Sequence, residues 1–163
     1  MNLPEPDFLA LLATMVEHGV DFIIVGGVSA VLHGAPVSTF DLDLVYSRAP
    51  DNIERLLSAL QDLDAYYRGQ GDKRLSPGPS HLASPGHQLL MTRFGPLDLL
   101  GTIGTDRDYG NLSDHTVELQ IGKFRLRVLD LETLIEIKQE LGQEKDKAVI
   151  PILRRLLKEI SGQ

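Results

Sequence analysis

Apolar positions recur along this chain with two periods, and the changes between them mark out its elements. Phe8, Leu11, Leu12 and Val16 fall at helical spacing behind Asp7, a capping residue, and His18-Gly19 is a helix stop. Val20 to Val25 predicts the first strand, and its run Phe22-Ile23-Ile24-Val25 predicts burial on both faces. Gly26-Gly27 makes a turn, Val28 to His33 a short helical segment, and Gly34-Ala35-Pro36 ends it. Thr39 to Tyr46 alternates as a second strand: Phe40, Leu42 and Leu44 point one way, Thr39, Asp41 and Asp43 the other.

The pattern continues past a loop at 47–50. Asp51 reads as the cap of a helix to about Asp62, with Ile53, Leu56, Leu57, Leu60 and Leu63 on its buried side. Residues 63–67 read as a short strand, and 69–86, rich in Gly, Pro, Ser and charge, as a long loop without periodicity. Gln88 to Phe94 and Leu97 to Leu100 predict a hairpin turning at Gly95-Pro96. Residues 102–114 read as loop or short helix. Thr116 to Ile121 and Phe124 to Leu129 predict a second hairpin, turning at Gly122-Lys123. Asp130 caps a helix over Leu131 to Leu141, stopped by Gly142. A last helix runs from Glu144 to about Ile160, with a kink expected at Pro151. The expectation is one domain over residues 1–163, of the α/β (α+β) class. Its mixed β-sheet would be flanked by helices on one face and at the C-terminal end.

Composition narrows the possible functions. Of 163 residues, 42% are hydrophobic and 24% charged, which suits a globular domain with a real core. No apolar run approaches the ~20 residues of a membrane span. The N-terminal MNLPEPDF lacks a basic region followed by an apolar core, so no signal peptide is expected. With no cysteine, disulfides and thiolate metal sites are excluded, and a cytoplasmic protein is the simplest expectation. A net charge of −7 argues against a general nucleic-acid binder. Lys145, Lys147, Arg154, Arg155 and Lys158 form either a solvated helix face or a local basic patch.

The candidate chemistry lies in carboxylates. Asp41 and Asp43, two apart in a strand, put their Cβ atoms on one face ~6–7 Å apart. Two such anions repel unless a cation or solvent separates them, and magnesium suits the role with its few carboxylates, waters and phosphate oxygens. Asp98 sits in the apolar strand Leu97-Asp98-Leu99-Leu100, where a charge is costly unless paired or bound to metal. If its hairpin packs beside the Asp41 strand, three carboxylates meet, as in sites that hold two metals for phosphoryl or nucleotidyl displacement. Gly26-Gly27 is either a tight turn or a backbone surface offered to phosphates.

The order Gly-Gly, short helix, Asp-x-Asp strand and later apolar-Asp-apolar strand resembles the polymerase-β-type nucleotidyltransferase superfamily. Pro36, Ser38-Thr39-Phe40-Asp41-Leu42-Asp43-Leu44, GPLDLLG at 95–101 and Lys138 with Lys145-Asp146 are similar to small bacterial nucleotidyltransferases of the abortive-infection toxin type. The resemblance implies that Asp41, Asp43 and Asp98 bind magnesium, with manganese as the alternative. Asp98 would also help deprotonate an acceptor hydroxyl. It places Gly26, Gly27, Ser29, Ser38, Thr39, Lys138 and Lys145 around the nucleotide. The implied activity moves a nucleoside monophosphate from an NTP, ATP among them, to a hydroxyl of tRNA, a protein or a small molecule, releasing pyrophosphate. Relatives often carry Gly-Ser at the glycine pair and Arg after the proline, where this chain has Gly26-Gly27 and Val37. The other readings are a binding module of this fold without turnover and a toxin–antitoxin component, with a partner protein or a second copy. His33, Arg68, Lys73 and Arg74 are further candidates near the nucleotide or acceptor, against packed or solvated roles. His81, His87 and His115 lack metal-ligand spacing.

Overall fold

The structure, a computed structural model, describes residues 6–162. Most of the N-terminal stretch read above for a leader lies outside them. In chain order the elements are α1 (Phe8–Glu17), β1 (Phe22–Val25), α2 (Gly26–Leu32), β2 (Leu42–Tyr46), α3 (Pro50–Asp62), β3 (Tyr66–Tyr67), α4 (Pro79–Ala83), β4 (His87–Thr92) and β5 (Gly95–Leu100). There follow α5 (Tyr109–Leu112), a 3-10 turn (Ser113–His115), β6 (Thr116–Ile121), β7 (Phe124–Leu129), α6 (Leu131–Leu141) and α7 (Glu144–Ile160).

The strands form one mixed sheet in the order β3-β4-β5-β2-β1-β7-β6. β2 runs parallel to β5, and β1 to β7; the other neighbours are antiparallel. Helices cover both faces rather than the one expected. Ile24, Leu42, Leu44, Tyr46, Leu97, Leu99 and Val128 share a buried cluster with residues of α1, α3 and α4. Ile23, Val25, Val45, Leu100 and Leu129 share the other with residues of α2, α5, α6 and α7. Two covered faces are what the unbroken apolar run of β1 requires, since successive side chains point to opposite sides.

Several boundaries differ from expectation for local reasons. Val20 is still in the α1 stop, its N–H donating to the Met15 carbonyl, so β1 begins at Phe22. β2 begins at Leu42 because the Thr39 hydroxyl donates to the Asp41 carbonyl at 3.1 Å, which holds 39–41 in a bend and leaves Phe40 77% exposed. Ala49, not Asp51, occupies the cap of α3, with Pro50 in the first helical position and Asp51 in the first turn. The first hairpin turns at 93–94, because Thr92 already pairs with Gly95 and its hydroxyl receives the Phe94 N–H. The long loop contains α4, opened by Pro79 and pinned by fully buried Leu82. α7 carries Pro151 within its length.

Candidate active site

Strand register brings the carboxylates together. β2 and β5 are adjacent and parallel, with Asp43 directly beside Asp98. Residues in register on neighbouring strands face the same side, so both carboxylates lie on the α2–α6–α7 side, with Val45 and Leu100. Asp41 sits in the bend just before β2. One oxygen from each of Asp41, Asp43 and Asp98 lies within 4.8 Å of the other two.

The glycine pair is packed against this cluster. Asp43 pairs with Val25 at the end of β1, and the chain turns directly into α2 at Gly26. Gly26 has φ +68°, and a Cβ there would stand 2.2 Å from Asp43 Oδ2. A Cβ on Gly27 would meet Thr39 Oγ1 at 2.7 Å. The two glycines thus form the first turn of α2 rather than a turn ahead of it, and each omits a side chain that would strike the site. Gly26 also supplies a left-handed conformation that L side chains disfavour.

Crowding three acids in a half-buried place perturbs their protonation. Burial raises the Asp43 carboxyl to about 8, helped by the charges of Asp41 and Asp98 and opposed by Lys145. Asp41 is also raised, first by burial, then by its hydrogen bond and charge interaction with Asp98, with Arg68 opposing. Asp43 Oδ1 is buried without a hydrogen-bond partner. A buried, unpartnered carboxylate oxygen beside two more carboxylates is a set of hard oxygen donors, the chemistry that magnesium or manganese takes. The residues fit such an ion.

Arg68 closes the cluster on one side. Its backbone N–H donates to the Leu89 carbonyl, continuing the β3–β4 ladder by one residue. Its guanidinium reaches across β4, Nη1 donating to the Leu90 carbonyl at 2.6 Å and Nη2 to Asp98 Oδ1 at 2.7 Å. The side chains are 29% and 13% exposed, so this ion pair is partly withdrawn from water. Arg68, a candidate beside the nucleotide or acceptor in the sequence, is here a partner of Asp98. The signal that finds it is register: Tyr67 pairs with Leu90, so Arg68 falls beside Leu89, and Leu89 pairs with Asp98.

The other expected residues divide. Lys145 is exposed and near enough to Asp43 to pull its pKa down. Lys138 instead donates to Asp146 Oδ1 at 3.2 Å within α6–α7 packing, so its charge is already engaged. Ser29 is fully buried and its hydroxyl donates to the Gly26 carbonyl at 2.6 Å, so in this structure it braces the turn. Ser38 is exposed, Thr39 half-buried beside Gly27. Val37 packs against the second cluster. His33 bonds the Leu129 carbonyl, a packed role. Arg74 lies over the Tyr66 ring at 4.6 Å, and Lys73 is exposed.

Solved structures share this fold. A candidate nucleotidyltransferase from Thermotoga maritima superposes with TM-score 0.58 at 18% identity, over 97% of each chain. The lincosamide antibiotic adenylyltransferase LnuA, solved with lincomycin, gives 0.62 at 16% identity, over 96% of this chain and 99% of its own. The antibiotic-resistance factor ANT(2'')-Ia, solved with adenylyl-2''-tobramycin, gives 0.60 at 14%, over 92% and 87%. The chain therefore has the nucleotidyltransferase fold. No protein-family model and no curated protein matches it. Among the described residues, no helix is long and apolar enough to cross a membrane.

Proposed function

We propose that this chain is a metal-dependent nucleotidyltransferase, moving a nucleoside monophosphate from an NTP to an acceptor hydroxyl. The observation that carries the reading is the meeting of Asp41, Asp43 and Asp98 within 4.8 Å, against a glycine pair with no room for side chains. Asp41, Asp43 and Asp98 would hold magnesium, or manganese, which when bound supplies charge neutralisation to the triphosphate. Gly26 and Gly27 would offer backbone N–H groups to the phosphates beside Asp43. Lys145 adds a cation on the α7 side, and Ser38 and Thr39 border the bend.

In the reaction the acceptor oxygen bonds to the α-phosphorus as the bond to pyrophosphate breaks. The hydroxyl proton passes to a carboxylate, and Asp98 is the candidate base. Positioning and charge stabilisation would supply most of the rate, as in phosphoryl transfer generally. The lincomycin bound to one fold neighbour and the adenylyl-2''-tobramycin bound to another favour a small-molecule acceptor, with ATP as the donor to try first. The resemblance to abortive-infection toxins favours tRNA or protein. A second reading, a nucleotide-binding module without turnover, is favoured by Gly27 and Val37, which stand where relatives often carry serine and arginine, and by the Ser29 hydroxyl being engaged with the Gly26 carbonyl.

The test is calorimetric titration of the four NTPs with and without magnesium, on the wild type and on Asp41→Ala/Asp43→Ala. Binding that needs magnesium and vanishes in the variant is the expected outcome; labelled-NTP transfer to candidate acceptors follows. Absence of any NTP binding overturns the enzyme reading.

A further inference from the structure

Asp98 is a singular member of the carboxylate cluster. Asp41 is tethered by the bend at 39–41, and Asp43 is wedged against Gly26. Asp98 is held instead from the half of the sheet that ends in β3, where Arg68 follows Tyr67. Once all three are ionised, as a bound cation requires, a carboxylate with free rotation there would turn away from its like-charged neighbours, whose nearest oxygens lie within 4.8 Å. Arg68 prevents that. Its Nη2 holds Asp98 Oδ1 at 2.7 Å, and its own position is fixed by Nη1 on the Leu90 carbonyl and by the backbone bond to Leu89.

We infer that Arg68 is a positioning residue for the metal site: it fixes the Asp98 carboxylate toward Asp41 and Asp43 by occupying one of its two oxygens, and leaves the other for the ion. The inference rests on the metal-dependent reading above. It goes beyond that reading by assigning a role to a residue outside the acidic triad and the glycine turn. Two effects of Arg68 oppose each other. Its positive charge, near the cluster, disfavours a cation. Its two hydrogen bonds hold a ligand in place before the ion arrives. The second effect prevails where the arginine is itself anchored, because the ligand's rotational freedom is already lost before binding. Outer-sphere partners of metal ligands typically carry about 10–100-fold in affinity.

The experiment is an electron paramagnetic resonance titration with Mn2+ on the full chain, comparing wild type with Asp98→Asn, Arg68→Met and Arg68→Lys. Asp98→Asn identifies the ion that depends on that carboxylate. Arg68→Met is expected to weaken that same ion about tenfold or more. Arg68→Lys is expected to recover part of the loss, since an ammonium can donate to Asp98 but not simultaneously to the Leu90 carbonyl in the same fork. Thermal melts of the metal-free variants show that the fold is retained, and Arg68→Lys carries the test should Arg68→Met not fold. Unchanged or tighter Mn2+ binding in the folded arginine variants overturns the inference and makes Arg68 a mere counter-charge. A wild type that binds no Mn2+ overturns the metal reading itself, and the inference with it.

Discussion

Replacing Asp43 with asparagine should make the metal-free protein more stable at alkaline pH. The folded Asp43 carboxyl sits at about 8 against an ordinary value of 3.8. Between those values the native state holds a proton that the unfolded chain has released. Stability from this group is therefore fully present below about 3.8, declines as pH rises, and is gone above about 8. The slope approaches about 1.4 kcal/mol per pH unit for one whole proton, so between pH 5 and pH 8 the loss reaches about 3–4 kcal/mol. Asp41 is displaced in the same direction and adds to it. Asparagine keeps the shape and carries no charge, so Asp43→Asn should lose most of this decline. The assay is urea denaturation in a chelator at several pH values, wild type against variant. The two curves should meet only toward pH 4, be apart by roughly 1–2 kcal/mol at pH 5 and diverge further by pH 8, with the variant above. Magnesium should restore the wild type at pH 8 and leave the variant nearly unchanged. Parallel curves for the two proteins across the whole range would refute burial and mutual repulsion as the condition of this site.

Gly26→Ala puts a methyl 2.2 Å from Asp43 Oδ2 at φ +68°. It should cost roughly 1–3 kcal/mol in denaturation and abolish Mn2+ binding, whereas Gly69→Ala, also at positive φ but with nothing within 4 Å, should cost only backbone strain and leave Mn2+ binding unchanged. Lys138→Met strands Asp146, which is 3% exposed and already has one unpartnered oxygen. The expected loss is about 3 kcal/mol, largely recovered in Lys138→Met/Asp146→Leu; an additive double variant in a denaturant series would sink the pairing. Tyr46→Phe removes the hydroxyl that donates to the Leu82 carbonyl at 2.6 Å and ties α4 to β2. About 1–2 kcal/mol should be lost, with NTP affinity unchanged in the titration described above.

The sequence carried the elements of this fold where one periodicity ran undisturbed. The run of β1, the hairpin of β6 and β7, and the cap and stop of α6 at Asp130 and Gly142 needed no tertiary information. Boundaries moved where a side chain bonded its own backbone. Thr39 bends the approach to β2, and Thr92 closes the first hairpin two residues early. α4 was hidden because a five-residue helix is too short for a periodic signal, and its one anchor is Leu82.

For the candidate site, local pattern and long-range register contributed different parts. Asp-x-Asp beside a glycine pair is legible because its members are near in sequence. Asp98 was suspected because a charge in an apolar strand asks for a partner. Its arrival beside Asp43 depends on β5 pairing with β2 in parallel and in one register; a slip of one residue would have sent it to the opposite face. Arg68 lies one step further from legibility. It reaches the cluster only because β3 pairs with β4, and β4 with β5, so that Arg68, Leu89, Asp98 and Asp43 fall in one row across four strands. No spacing along the chain encodes that row. It follows from strand order, and strand order also explains why an exposed-looking loop arginine and a half-buried acid thirty residues away form an ion pair.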